Sequence, residues 1–222
     1  MKIYQIELSN YCNLSCKYCP HPNQKRQKGF MDLSTFKKVV ALAKKCGQSS
    51  LYLHNFGEVA LHPNLAEFIR YAKEEGVECS FFTNGVLFTE ELIKTMYSAG
   101  LRKISISNHV SNADVLVREL IEKANVPIVI DDVYDVGVRH NWAGQIPETE
   151  CDHVCQPNDE PCIFERQNAF VVLWNGDIAS CCIDCEGVSK QYTVDDLLIN
   201  DYVFKRTRLC NSCDLMRGDE EL

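Results

Sequence analysis

The sequence predicts an α/β protein: a partial (β/α) barrel of about six units, followed by a small C-terminal β-hairpin/helix unit. Three observations predict it. Apolar runs with strand character alternate with amphipathic helical stretches over the first 150 residues, and such alternation builds parallel sheets. Each strand–helix unit takes roughly 25 residues, so the 222-residue chain is too short for a complete eight-unit barrel of roughly 250 residues. The pattern also breaks near residue 150, where eight of the 13 cysteines crowd into the remaining stretch. The expected division is 1–149 for the barrel and 150–222 for the appended unit.

The elements follow in order. Lys2 to Ser9 reads as a strand anchored by Ile3, Ile6 and Leu8, with a polar, cysteine-bearing loop after it up to about Met31. Asp32 caps a helix to Cys46, with Phe36, Val39, Val40 and Ala43 at helical spacing and Gly47 as the stop. Ser50 to Asn55 is a strand, Asn64 to Glu75 a helix, and Val77 to Phe82 a strand that ends in the turn Thr83-Asn84-Gly85. Thr89 to Ala99 is a helix, Lys103 to Ser107 a strand, Asn112 to Ala124 a helix and Pro127 to Ile130 a strand. Farther on, Asn175-Gly176 between two apolar runs predicts a β-hairpin with a type I′ turn. Val194 to Ile199 is a short helix.

Composition narrows the function. Acidic residues exceed basic ones, 31 to 23, for a net charge of −8, which disfavours a phosphate-tracking surface and makes a nucleic-acid partner unlikely. No run of about 18 apolar residues predicts a membrane helix, and no signal peptide is visible, so the expectation is a cytoplasmic protein without a membrane partner. An odd number of cysteines in such a chain points to metal or cluster ligation rather than disulfides.

Cys12, Cys16 and Cys19 form C-x3-C-x2-C in the loop after the first strand. Three thiolates can hold three irons of a four-iron cubane and leave the fourth open; a zinc loop that borrows a fourth ligand is the alternative. The motif resembles the signature of the radical S-adenosylmethionine (radical SAM) enzymes. Tyr18, before the last cysteine, resembles the aromatic residue whose backbone approaches the adenine in that family. Asn55-Phe56-Gly57-Glu58-Val59 resembles the family's GGEP motif, with Phe56 and Val59 departing from it; the resemblance implies that Gly57 and Glu58 receive the methionyl amino group. Thr83 and Asn84 after the third strand, and Ser107 at the end of the fourth, resemble further cofactor-binding positions.

Cys162, Gly176 and Cys181 form C-x13-G-x4-C, and Cys210 and Cys213 form C-x2-C. This order resembles the twitch version of the SPASM domain of radical SAM enzymes, and the resemblance implies a second, auxiliary 4Fe-4S cluster on Cys162, Cys181, Cys210 and Cys213. A four-thiolate zinc site is the alternative. Cys46 and Cys79 read as core residues, whereas Cys151, Cys155, Cys182 and Cys185 are spare thiols. Arg139 and His140, with Trp142, lie between the two cysteine groups and are candidate pocket residues; the first two are candidates to orient or deprotonate a substrate hydroxyl.

The resemblance implies reductive cleavage of S-adenosylmethionine to a 5′-deoxyadenosyl radical that abstracts hydrogen from substrate, with electrons from a flavodoxin- or ferredoxin-like reductant. Cys12 lies eleven residues from the first residue, which leaves no room before it for a leader-binding module, so the expected substrate is a small polar molecule such as a sugar or cyclitol. The expected reaction is dehydrogenation of a hydroxyl, with the auxiliary cluster accepting an electron. Epimerisation and peptide modification are the alternatives within the family. Outside it stand a zinc-organised interaction protein and a two-cluster redox carrier.

Overall fold

The computed structural model describes residues 1–135, 141–147, 149 and 161–213. Nine strands and six α-helices are found among them: β1 (Lys2–Ile6), α1 (Leu33–Lys45), β2 (Ser50–Tyr52), α2 (Leu65–Glu74), β3 (Glu78–Ser80), β4 (Phe82–Thr83), α3 (Glu90–Ala99), β5 (Lys103–Asn108), α4 (Ala113–Ala124), β6 (Val129–Asp135), α5 (Ile163–Gln167), β7 (Ala169–Val172), β8 (Asp177–Ala179), β9 (Tyr192–Thr193) and α6 (Val194–Ile199). β2 pairs with β3, and β4, β5 and β6 pair in that order, all parallel. The expected strand from Val77 to Phe82 is thus two strands: Phe81 drops into the core, and the chain changes partner from β2 to β5. β6 starts later and runs farther than Pro127–Ile130, because all six residues of β5 find partners on it.

The apolar layer forms where the helices meet the sheet. Phe36, Val39 and Val40 of α1, Phe68 and Ile69 of α2, and Ile93 and Met96 of α3 share one core with Leu51, Leu53, Phe81, Ile104 and Ile106. Asp32 and Thr89 cap their helices by accepting from Thr35 N and Leu92 N.

The C-terminal segment joins this architecture directly. β7 pairs in parallel with β1 from Lys2↔Ala169 to Ile6↔Val172, and β8 and β9 follow antiparallel. Phe170, Val172, Ile178, Leu197 and Tyr202 belong to the same core as the helices. A second core gathers Cys162, Phe164, Val171, Leu173, Ile183 and Cys213. The boundary expected at 149/150 falls beside residues that are not described. The β7–β8 connection is not a type I′ turn, which needs positive φ at both central residues. Only Gly176 has positive φ there (83°), and its N–H returns to Leu173 O.

Candidate functional site

The loop after β1 is organised by Asn10, which is fully buried. Its Nδ2 donates to Gln24 Oε1 (3.0 Å) and Gln27 O (2.9 Å), and its Oδ1 accepts from Gly29 N (2.8 Å). Its carbonyl oxygen accepts from His21 Nε2 (2.8 Å) and Lys28 Nζ (3.0 Å). Every polar group of this residue closes the loop that carries Cys12, Cys16 and Cys19. Burial, helped by the neighbouring thiols, pushes the Cys12 thiol up and the Cys19 thiol up to about 11, so the three lie within electrostatic reach of one another.

Glu58 sits behind the loop, 3% exposed. Its Oε1 accepts from Thr83 Oγ1 (2.6 Å) and Ala60 N (3.1 Å), and its Oε2 accepts from Asn84 N (2.9 Å). Burial raises this carboxyl's pKa, and the three donors pull it back. Asn84 Nδ2 donates in turn to Asn13 Oδ1 inside the cysteine loop (2.8 Å). Gly57 has φ +106°, and a Cβ there would stand 2.4 Å from Ser9 O and 2.8 Å from Tyr11 O. Only glycine lets this turn lie against the backbone leading into Cys12, where Glu58 N donates to Tyr11 O (2.7 Å). Gly57, Glu58, Thr83 and Asn84 are therefore brought together beside the cysteines. Ser107 stands apart from this network, in β5 opposite Tyr134.

Tyr18 is held from two sides. Its hydroxyl hydrogen-bonds His109 Nδ1 (2.9 Å), and its carbonyl accepts from Trp142 Nε1 (2.9 Å). The Trp142 ring also packs against Phe56, centroids 5.6 Å apart. Arg139 and His140 lie outside the described residues, as do Cys151 and Cys155.

Cys162, Cys181, Cys210 and Cys213 line one small recess, walled by Phe164 and Leu209 among others. They come from four places: the residue before α5, the segment just past β8, the middle of the turn at Arg208–Ser212 and the residue that ends that turn. Among the described residues no three His, Cys, Asp or Glu side chains converge on one point as ligands of a single ion would. Cys182 hydrogen-bonds Cys181 and raises its thiol pKa well above the ordinary value, with burial adding to it.

Cys185, 1% exposed, belongs to a different contact. Gln24 Nε2 donates to its carbonyl (2.7 Å) and sulfur (3.3 Å), and Arg26 Nε donates to the same carbonyl (2.7 Å). Glu186 accepts from Lys25 N (2.9 Å) and Arg26 N (3.0 Å). The Arg26 guanidinium is bidentate to Glu7, whose carboxylate is fully buried. Gly29 lies under the Trp174 ring, where a Cβ would come within 2.5 Å. The first cysteine loop is thus clamped to the segment that carries Cys181. Sequence reasoning missed Asn10, Arg26 and Glu186, because their partners lie 11 to 161 positions away; only the charge of Glu7 inside an apolar strand signalled a buried pair.

The geometry agrees with comparisons to known proteins. Residues 6–139 match the Radical SAM superfamily. The "Tungsten-containing aldehyde ferredoxin oxidoreductase cofactor-modifying protein" of Pyrococcus furiosus is 30% identical over 108 residues, which cover 48% of this chain and 30% of that protein. The "S-adenosyl-L-methionine-dependent 2-deoxy-scyllo-inosamine dehydrogenase" of Niallia circulans is 28% identical over 109 residues, 47% of this chain and 44% of that one. The chain thus matches less than half the length of either relative. The crystal structure of BtrN in complex with AdoMet and 2-DOIA superposes with a TM-score of 0.74 at 20% identity, over 100% of this chain and 98% of that one, a likeness of fold. The family match covers more than half of the chain, and on that ground the chain belongs to the radical SAM superfamily, enzymes that use S-adenosylmethionine and a 4Fe-4S cluster.

Proposed function

We propose that this protein is a radical SAM dehydrogenase acting on a hydroxyl of a small polar substrate, with a second, auxiliary cluster. The observation that carries the reading is the meeting of Cys162, Cys181, Cys210 and Cys213 around one recess, next to a hairpin hydrogen-bonded to the strand that leads into Cys12. Four thiols spread around a recess suit a multi-iron group ligated at separate corners. The superposition on BtrN with AdoMet and 2-DOIA, and the partial match to a 2-deoxy-scyllo-inosamine dehydrogenase, support the choice of substrate class.

The residues divide the work. Cys12, Cys16 and Cys19 hold three irons of the first cluster. When bound, that cluster and S-adenosylmethionine supply a 5′-deoxyadenosyl radical able to take a hydrogen atom from the substrate. Glu58 presents its carboxylate to the methionyl amino group, and Thr83 and Asn84 hold that carboxylate in place. Tyr18 offers its backbone to the adenine, in the grip of Trp142 and His109. Cys162, Cys181, Cys210 and Cys213 leave no iron of the second cluster open, which fits it for electron acceptance rather than substrate binding. A flavodoxin- or ferredoxin-like protein is the reductant. Among the described residues no helix is long and apolar enough to cross a membrane.

Anaerobic reconstitution tests this. The wild-type protein is expected to carry about eight irons, four per cubane, and to release 5′-deoxyadenosine on reduction with S-adenosylmethionine. The Cys210→Ala, Cys213→Ala protein is expected to carry about four. Zinc in place of iron, or a full iron content in that variant, would sink the assignment.

A further inference from the structure

The sheet has two chemically different faces. Leu51, Leu53, Phe81, Ile104 and Ile106 lie under the helices. Strand alternation therefore sets Tyr52, His54, Phe82, Ser105 and Ser107 on the opposite face. Register carries that face across the sheet: Phe82, Ser105 and Asp132 stand abreast, and Ser107 lies beside Tyr134. Hydroxyls, a carboxylate and aromatic rings thus share one surface, at the strand ends where Glu58 and the cysteine loop sit.

His54 lies on this face and has no part in the proposed mechanism. Gln5 Nε2 lies 2.9 Å from His54 Nε2. A carboxamide nitrogen only donates, so His54 Nε2 accepts, and in a neutral ring the proton then resides on Nδ1. Burial pushes this histidine's pKa down to about 4, which keeps the ring neutral. Nδ1 is buried and has no hydrogen-bond partner, and Asn55 Nδ2, on the next residue, is likewise buried and unpartnered. Buried donors are nearly always paired. The His54 Nδ1 donor, two residues before Phe56-Gly57-Glu58, is such an exception and is free to serve an oxygen acceptor. The Phe82 and Tyr52 rings stand edge-on to the imidazole at 4.7 and 6.2 Å between centroids, apolar walls of the kind that the C–H faces of a saturated ring can pack against.

We propose that His54 binds the substrate, its Nδ1 donor holding an oxygen of a polyhydroxylated ring, with Gln5 as the positioning residue that selects the His54 tautomer. This assignment rests on the dehydrogenase reading and names the part of the site that recognises the substrate.

The test uses the full chain with both clusters reconstituted, and 2-deoxy-scyllo-inosamine and myo-inositol as probes. The readout is the ratio of 5′-deoxyadenosine formed with and without the cyclitol, which corrects each protein for its own cluster content. At least one cyclitol is expected to raise the wild-type rate. His54→Phe should lower the ratio about tenfold, the effect of one lost hydrogen bond to substrate. His54→Asn, whose amide NH2 can stand near the Nδ1 position, should keep the ratio within about threefold of wild type. A His54→Phe ratio equal to wild type, or a His54→Asn ratio as low as that of His54→Phe, would overturn the role of the Nδ1 donor. Cyclitol-independent cleavage with no response to either cyclitol, or a response to a peptide instead, would overturn the substrate class while leaving S-adenosylmethionine cleavage standing. No deoxyadenosine from iron-loaded wild-type protein under any condition is failure of the underlying reading, and removes this one with it.

Discussion

Arg26→Met is the sharpest test of how the two cysteine-bearing regions are joined. The substitution keeps most of the stem of Arg26 and removes its charge. Glu7 is then left with no side-chain exposure and only the more distant Lys28 charge, and the carbonyl of Cys185 loses one of its two donors at 2.7 Å. Breaking a buried ion pair from one side costs about 3–5 kcal/mol, a large share of the roughly 5–15 kcal/mol that holds a domain folded. For a chain of this length that is a fall in Tm of roughly 6–20 °C. Glu7→Gln with Arg26→Met removes both charges and should recover at least half of the loss. The loss should also depend on pH. Burial already raises the Glu7 carboxyl above its ordinary value, and Arg26 is what pulls it back. Without Arg26 the folded state binds a proton that the unfolded state releases, so the variant's stability falls as pH rises above the ordinary carboxyl range. The deficit against wild type should therefore be smaller near pH 5 than near pH 8. Urea unfolding followed by circular dichroism under anaerobic conditions, on proteins of matched iron content, measures it. A loss under about 1 kcal/mol, or a double variant no more stable than the single one, would refute the claim that this pair clamps the loop.

Three further outcomes are expected at the site. Glu58→Gln turns one acceptor oxygen into an NH2 that faces Thr83 Oγ1 and Ala60 N or Asn84 N, so the KM for S-adenosylmethionine should rise about 10–100-fold; an unchanged KM would remove Glu58 from the cofactor site. Gly57→Ala sets a Cβ 2.4 Å from Ser9 O at φ +106°, so cofactor binding should be lost and Tm should fall, whereas native behaviour by isothermal calorimetry would show that the loop yields. His54, with its pKa near 4, stays neutral from pH 6 to 8, so a profile of cyclitol KM should show no break near 6.5, where an unperturbed histidine titrates.

Much of this was legible in local pattern. Helix ends follow capping rules that act within four residues, so Asp32 and Gly47 were readable in advance. The positions around Cys12 and Glu58 were readable because cofactor chemistry requires those residue types in that order. The turn at Asn175-Gly176 was read as type I′, since the dipeptide carries that preference; the structure has a four-residue connection, Leu173 to Gly176, with positive φ at Gly176 alone. The break at Phe81 was not readable, because it depends on which neighbour each half of the strand pairs with.

The sequence by itself determined the strand–helix alternation, the two cysteine groups and the family, because these rest on periodicity and on ligand types at short spacing. Tertiary structure alone decided that β7 lies against β1, that Cys162, Cys181, Cys210 and Cys213 meet in one recess, that Glu186 and Arg26 clamp the first loop, and that His54 and Asn55 are left with unpaired donors. The physical reason is distance along the chain. Hydrogen-bond satisfaction and burial are properties of the folded surroundings, and here those surroundings are assembled from segments as much as 201 residues apart.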